Sequence, residues 1–226
     1  MSACIDRSEM RIDVVGTTLV CLWQRTLFWP EQRTLFVADV HLGKAASFRA
    51  AGVALPTGHS VHDLDRIAAL LGMYQATRLV ILGDMVHGRS SYTEALDRNF
   101  RLFRTRHDAV EIVLVRGNHD RHAGDAPAGW GLSIVAEPYL LGPFACCHEP
   151  GMAAGTGYEL AGHLHPAMRV QTARDGMTLP CFWQHANGIV LPAFGSLTGN
   201  HSLRLQRSER AVVIAGRQLH EIKYRA

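Results

Sequence analysis

Five short clusters of metal-binding residue types occur between residues 39 and 165 of this sequence. They are Asp39-Val-His41, Asp84-Met-Val-His87, Asn118-His119-Asp120, Cys147-His148-Glu149 and His163-Leu-His165. Imidazole nitrogens with carboxylate or amide oxygens, in the absence of paired thiolates, favour Mn, Fe, Zn or a similar divalent ion over Ca or Mg. Residues two apart on an extended segment point the same way, so Asp39 with His41, and His163 with His165, can each chelate one ion.

Seven of these side chains can each offer a ligand atom, more than one ion needs if it is to keep a position open for water. The candidate ligands are Asp39, His41, Asp84, Asn118, His148, His163 and His165. Their number suits two ions that share one carboxylate. A lone Asp-x-His or His-x-His pair is usually structural, but the run from Gly117 to Asp120 is more specific. All five clusters in one chain are hard to obtain by chance.

The segments around the clusters predict an α/β fold. Strands are expected at residues 11–15, 19–23, 26–29, 33–37, 79–82 and 110–115, and helices at residues 44–51, 59–74 and 92–107. The alternation of strand and helix predicts a parallel sheet with covering helices. Ligands gather beyond the carboxyl ends of the strands in such sheets, which is where the clusters lie.

From residue 132 onward the pattern changes to short strands and turns with little helix. The expected strands are residues 132–135, 143–147, 168–171, 188–191, 211–215 and 218–224, which predict a second, largely antiparallel sheet. We therefore expect a two-sheet β-sandwich flanked by helices. No long Pro-, Gly- or Ser-rich linker divides the chain, so residues 1–226 are interpreted as a single domain.

The composition of the chain excludes several classes of protein. The chain of 226 residues has 13 His, which favours a metal site, and a net charge of +3, which is too small to indicate a nucleic-acid partner by itself. Five Cys without a CxxC pair argue against a disulfide framework and a zinc knuckle. No apolar run is long enough to span a membrane, and residues 1–10 lack a signal-peptide core, so a cytoplasmic protein without membrane contact is expected.

The order of the five clusters resembles that of the calcineurin-like metallophosphoesterase superfamily. Further segments, at residues 39–49, 115–121, 179–183 and 191–195, resemble the bacterial ligase-associated DNA-damage-response endonucleases within it. The resemblance covers nearly the whole chain and implies the four-layer α/β sandwich of that superfamily. One departure is His87, where the superfamily often has Asp. Gly88 then separates His87 from Arg89, which argues against a protein phosphatase.

The resemblance also implies roles for individual residues. One ion would be held by Asp39, His41, Asp84 and His165, and the other by Asp84, Asn118, His148 and His163. His119 would be the general acid, Asp120 would orient its imidazole, and Asn118, His119 and Arg121 would contact the substrate. Two divalent ions are expected, Mn²⁺ first, with Fe, Zn or Ni as alternatives. His87 and Lys44 are left as candidate substrate contacts.

The function expected from these features is that of a dinuclear-metal phosphodiesterase. Its substrates would be nucleic acid or nucleotide diesters, including 2′,3′-cyclic ones. A role in DNA repair, with a DNA ligase, a helicase and an exonuclease as partners, is implied by the resemblance alone. The alternatives are a phosphomonoesterase or nucleotide pyrophosphohydrolase, and a non-catalytic metal-binding scaffold, against which the intact His119 argues. The oligomeric state stays open, a homo-oligomer included.

Overall fold

Two sheets packed face to face form the centre of the molecule, whose computed structural model describes residues 7–171 and 176–224. The first sheet runs in chain order from β1 to β7. Its strands are Glu9–Val14, Thr17–Leu22, Thr26–Trp29, Thr34–Val37, Arg78–Leu82, Glu111–Val115 and Ser133–Val135. Strands β1 to β4 form an antiparallel meander, and β4 to β7 are parallel. The predicted parallel half of this sheet is confirmed.

Helices connect the parallel strands. They are α1 (Lys44–Ala50) and α2 (His59–Met73) after β4, α3 (Glu94–Arg106) after β5, and α4 (Asn118–Ala123) after β6. The apolar stripes of α2 and α3 pack on the outer face of the first sheet together with Trp130. The hydroxyl of Thr93 caps α3 by accepting from the backbone N–H of Leu96.

The second sheet follows the order β14-β11-β12-β13-β10-β9-β8, with β15 joining β12 to β16. Its strands β8 to β16 are Tyr139–Leu141, Phe144–Cys146, Tyr158–Ala161, Pro166–Gln171, Gly176–His185, Gly188–Val190, His201–Ser202, Arg210–Ala215 and Gln218–Lys223. Most strand pairs of this sheet are antiparallel, as predicted, but β10 pairs in parallel with both β9 and β13, and β11 does so with β14. Parallel pairing brings the carboxyl ends of β9 and β10 to one edge.

An apolar layer fills the space between the sheets. Phe36 and Val80 of the first sheet and Phe144, Leu160 and Ile189 of the second belong to one buried cluster. The resulting α/β sandwich with outer helices has the expected architecture. The shared layer supports the interpretation of one domain, which stays a prediction for residues 1–226.

Four of the five cysteines are buried free thiols, namely Cys21, Cys146, Cys147 and Cys181, whereas Cys4 lies outside the described residues. Cys147 packs beside Ala145 and Val190, as expected for a core residue. Within the described ranges, no helix has the length and apolar composition of a membrane span.

Candidate metal centre

All seven candidate ligands lie at one edge of the sandwich, beyond the carboxyl ends of five strands. The segment 39–41 follows β4, Asp84 follows β5 and Asn118 follows β6. His148 follows β9 of the second sheet, and the segment 163–165 follows β10. The predicted strand-end crevice therefore draws on both sheets, and the polar clusters meet where the sheets face each other.

The loops that carry the ligands are strained. Five candidate ligands have left-handed backbone conformations, with φ between 50° and 67°: Asp39, His41, Asp84, His163 and His165. Such conformations cost roughly 1 to 3 kcal/mol each for non-glycine residues and cluster at functional sites. The premise that Asp39 with His41, and His163 with His165, lie on extended segments is wrong, because all four residues have positive φ. A hydrogen bond of 2.9 Å from His41 N to Asp84 O holds the loop instead.

Two motif glycines allow the loops to approach closely. A Cβ atom on Gly83 would lie 2.1 Å from Nδ1 of His148, and one on Gly117 would lie 2.3 Å from Oδ1 of Asp84. Neither neighbour is the free end of a flexible chain, so any side chain at these positions would displace a ligand. The glycines before Asp84 and Asn118 are therefore part of the site.

The first group of donors consists of Asp39, His41 and His165, whose ligand atoms all lie within 4.8 Å of one another. Oδ1 of Asp39 is buried, lies 3.5 Å from Nε2 of His165, and has no hydrogen-bond partner among the described residues. Burial lowers the pKa of His41 to about 2, and the nearby positive charge of Lys44 acts in the same direction. Its imidazole is therefore neutral at physiological pH and keeps a lone pair for a cation.

The second group consists of Asp84, His148 and His163, again within 4.8 Å. Nδ1 of the fully buried His148 lies 3.1 Å from the carbonyl oxygen of Leu82 and must donate to it, because a carbonyl only accepts. In neutral His148 the other nitrogen, Nε2, is then an acceptor. Yet it lies 2.8 Å from Oδ1 of Asn118 and 3.4 Å from Oδ1 of Asp84. Nδ1 of His163 approaches the same nitrogen at 3.1 Å, so nitrogen and oxygen atoms of four side chains converge on one point, which fits a bound cation.

Asp84 joins the two groups. Its Oδ1 faces His148, and its Oδ2 lies 4.0 Å from Nε2 of His41. Burial raises the pKa of Asp84 to about 6. The charge of His148 opposes this shift, and the negative charge of Asp39 adds to it. A cation would reverse this shift, since a buried carboxylate is stabilised by an opposite charge. The donor set thus fits two divalent ions with Asp84 shared between them.

His119 lies beside the first group, with its ring centroid 4.9 Å from that of His41. Its Nδ1 lies 2.6 Å from the carbonyl oxygen of His87, to which it donates. The proton that His119 can exchange is therefore the one on Nε2. Its backbone N–H donates to Oδ1 of Asp84 at 2.9 Å, which ties the helix start to the shared carboxylate.

The expectation that Asp120 orients this imidazole is wrong. Its Oδ1 accepts from the backbone N–H of Val86 at 3.1 Å, and its Oδ2 accepts from that of Gly117 at 3.0 Å. Asp120 is buried and fixes the loops after β5 and β6, while the carbonyl oxygen of His87 orients His119.

Arg121 is paired with carboxylates at the edge of the site. Its guanidinium lies 3.5 Å from Glu137 and 3.7 Å from Glu149. Glu137, which the sequence analysis missed, also accepts from the backbone N–H groups of His148 at 2.7 Å and Glu149 at 3.0 Å. No sequence pattern around Glu137 indicated this supporting role.

His87 and Lys44, the two candidate substrate contacts from the sequence analysis, lie near the first group. The ring of His87 stacks on that of His119, with centroids 4.8 Å apart, and its ligand atom lies within 4.8 Å of those of His41 and His119. Burial lowers the pKa of His87 to about 4. Lys44 is half-buried at the start of α1, and burial lowers its pKa as well.

Comparison with known proteins decides the family. The sequence model of the calcineurin-like phosphoesterases matches residues 32–212, a range that includes all seven candidate ligands. The chain belongs to this family. It is therefore a metal-dependent phosphoesterase, and the predicted superfamily, fold class and enzyme class are confirmed. The family binds two divalent metals, which agrees with the two groups of donors.

The chain is also similar to solved structures of a nuclease and a phosphoesterase. This phosphoesterase is 37% identical to the nuclease MPE of Pseudomonas putida, with a TM-score of 0.83, over 95% of this chain and 100% of that one. It is 16% identical to Yfce, a phosphoesterase from E. coli, over 84% of this chain and 97% of that one. The TM-score between this chain and Yfce is 0.43. No curated protein matches significantly.

Proposed function

We propose that this phosphoesterase is a nuclease or nucleotide phosphodiesterase that hydrolyses phosphodiester bonds. The observation that carries the proposal is the placement of His119, which is tied to His87 through Nδ1 and lies beside the first group of donors. A diester hydrolysed to an alkoxide needs a proton donor for the leaving oxygen, and a scaffold does not. The similarity to a nuclease over nearly the whole chain supports the same class.

The ligands divide between two ions in this proposal. Asp39, His41, Asp84 and His165 would hold one ion, and Asp84, Asn118, His148 and His163 would hold the other. Two bound divalent ions supply a water of lowered pKa and neutralise charge on the phosphoryl oxygens. The mixed nitrogen and oxygen donors suit Mn²⁺, with Fe, Zn or Ni as alternatives.

The chain itself supplies proton transfer and positioning. His119, protonated on both nitrogens, donates the Nε2 proton to the leaving oxygen while Nδ1–H stays on the carbonyl of His87. Asn118 combines metal binding with contact to the substrate phosphate. Arg121 reaches a substrate only by exchanging its present pairing with Glu137 and Glu149. A role in DNA repair, with a ligase, a helicase and an exonuclease as partners, rests on the sequence resemblance alone.

A substrate panel tests the proposal. Metal-free protein is loaded separately with Mn²⁺, Zn²⁺, Fe²⁺ or Mg²⁺ and assayed on an oligonucleotide, a 2′,3′-cyclic nucleotide, a phosphomonoester and a nucleotide pyrophosphate. We expect the Mn²⁺ form to prefer the diesters by kcat/KM. Faster hydrolysis of the monoester or pyrophosphate would overturn the proposal in favour of those activities. Absence of turnover on every ester would favour the scaffold.

A further inference from the structure

Residues 193–196, here called the crossing segment, follow β13 and run from the second sheet to the loop after β4. The backbone N–H of Phe194 donates to the carbonyl oxygen of Ala38 at 2.8 Å, and that of Gly195 donates to the carbonyl oxygen of Asp39 at 3.1 Å. The backbone of a candidate metal ligand in the first sheet is therefore held by a segment that comes from the second sheet.

Gly195 packs against this loop without room for a side chain. A Cβ atom on Gly195 would lie 2.4 Å from the carbonyl oxygen of Val40 and 3.1 Å from that of Asp39. Both atoms belong to the backbone, so the loop itself would have to move. Asp39 and His41 have left-handed conformations, which cost roughly 1 to 3 kcal/mol each and persist only where the surrounding structure holds them. The crossing segment is one part of that surrounding structure.

An ion pair on α2 holds the crossing segment from its other side. Nη1 of Arg66 donates to Oδ1 of Asp63 at 2.9 Å and to the carbonyl oxygen of Phe194, also at 2.9 Å. Oδ2 of Asp63 accepts from both the backbone N–H and the hydroxyl group of Ser196 at 3.2 Å. The guanidinium lies over the ring of Phe194, 4.0 Å from its centroid. The ion pair thus fixes the residues on either side of Gly195.

The Asp63 carboxylate is buried, with an exposed fraction of only 4%. Desolvation offsets much of the attraction in a buried ion pair, so such a pair adds little to stability by itself. The oxygen atoms of Asp63 are divided between Arg66 and Ser196, and Arg66 in turn bonds to Phe194. Because these bonds converge on the crossing segment, the ion pair is suited to fixing the position of that segment.

We propose that Asp63 and Arg66 are positioning residues for the ion of the first group. They act through the crossing segment, whose N–H groups hold the backbone of the loop that presents Asp39 and His41. The inference rests on the proposed division of the ligands between two ions. It assigns to the ion pair the role of an outer partner that orients ligands, and loss of such a partner typically weakens metal binding by about 10- to 100-fold.

Stepwise binding of Mn²⁺ to the metal-free protein tests the inference. The phase of the titration that His165→Ala removes identifies the ion of the first group. Asp63→Asn keeps the shape of the side chain but leaves only one oxygen to accept hydrogen bonds. It is expected to weaken the first-group phase by about 10- to 100-fold. The other phase should keep its affinity, because the carbonyl oxygen of Leu82 and the carboxylate of Glu137 hold the second group.

Asp97→Asn, on α3, is the matched control. Asp97 also accepts from an arginine on its own helix, Arg101, and from a second side chain, the indole of Trp130. The variant should lower the free energy of unfolding and leave both Mn²⁺ phases at wild-type affinity, because these bonds do not involve the crossing segment.

Ser196→Ala is a milder variant that decides the question if Asp63→Asn does not fold. It removes only the hydroxyl group that donates to Asp63 and leaves the backbone N–H in place. The loss of one hydrogen bond should weaken the first-group phase by about two- to tenfold. Thermal unfolding of each variant measures its stability independently of the Mn²⁺ titration.

Wild-type affinity for both ions in Asp63→Asn and Ser196→Ala would overturn the inference. Equal weakening of both phases would also overturn it, because the ion pair would then serve general stability. Failure of the proposed division of ligands gives a different result: the wild type would bind fewer than two ions, or His165→Ala would remove neither phase. The inference would fall together with that division.

Discussion

The two groups of metal donors are held in place by different means. In the second group, backbone and side-chain hydrogen bonds fix the ligands: His148 is tied to Leu82, and Glu137 holds the backbone of its loop. In the first group, Asp39 Oδ1 and His41 Nδ1 are buried without hydrogen-bond partners in the described structure. The backbone of their loop is held by hydrogen bonds such as that from His41 N to Asp84 O, but these two side-chain atoms are not. The second group is thus preorganised, while the first depends more on its ion.

The two groups of donors also differ in the residues that surround them. The first group borders His119, which we assign to proton transfer, together with His87 and Lys44. The second is backed by buried residues around Cys147 and Val190. The comparison suggests that the second group anchors one ion and the first presents the other to the substrate.

Asp84→Ala should give the largest effect, because Asp84 is the residue that both groups share. We expect loss of both ions and a fall in diester hydrolysis of roughly 10³-fold or more, since bound metal supplies several kcal/mol of transition-state stabilisation. Metal analysis and kcat/KM measure both effects. Retention of two ions per chain would contradict the shared role.

Stepwise titration should reveal the difference between the groups. Metal-free protein is expected to bind two Mn²⁺ ions with affinities that differ by about 10- to 100-fold, the range attributed to partners that orient ligands. His148→Ala should remove the tighter phase, and His165→Ala the weaker one. The comparison fails if His165→Ala removes the tighter phase instead.

Metal binding should weaken at low pH. The pKa of Asp84 is raised to about 6 in the metal-free protein, so the carboxyl holds a proton below that pH and must release it to bind an ion. Affinity should therefore fall about tenfold per pH unit below 6 on account of this group. Calorimetry in buffers of different ionisation enthalpy measures the released proton. A constant affinity from pH 5 to 7 would refute this assignment.

Asp120→Asn should affect stability rather than chemistry. An amide cannot accept from both Val86 and Gly117 as the carboxylate does, so we expect a loss of about 1 to 3 kcal/mol in the free energy of unfolding. The metal content and the ratio of alkyl to aryl diester hydrolysis should not change. A selective fall in alkyl diester hydrolysis would instead return Asp120 to the role of orienting His119.

Local patterns predicted much of the first sheet. Continuous apolar runs located β5 and β6 within a residue or two, and the 3.6-residue rhythm located α2. Helix α4 was missed because its six residues, from Asn118 to Ala123, carry the motif rather than an apolar stripe. Strands β10 and β12 were also missed, and the parallel pairing of β10 depends on distant partners that no local pattern encodes.

In the candidate site, too, the residue types could be predicted from the sequence and the backbone geometry could not. Residue types and order were enough to name the seven candidate ligands, which the structure brings to one edge. The backbone that presents it could not be predicted, since left-handed conformations at Asp39 and His163 are imposed by contacts between loops. The resemblance implied that Asp120 orients His119, whereas its partners in the structure are the N–H groups of Val86 and Gly117.

His119→Ala gives the most direct test of the central claim, that the two donor groups form a two-metal centre served by one general acid. The variant should keep two ions per chain and hydrolyse alkyl phosphodiesters about 10²- to 10⁴-fold more slowly. Bis-p-nitrophenyl phosphate, whose leaving group needs little protonation, should be affected far less. Loss of an ion, or equal slowing of both substrates, would contradict the account.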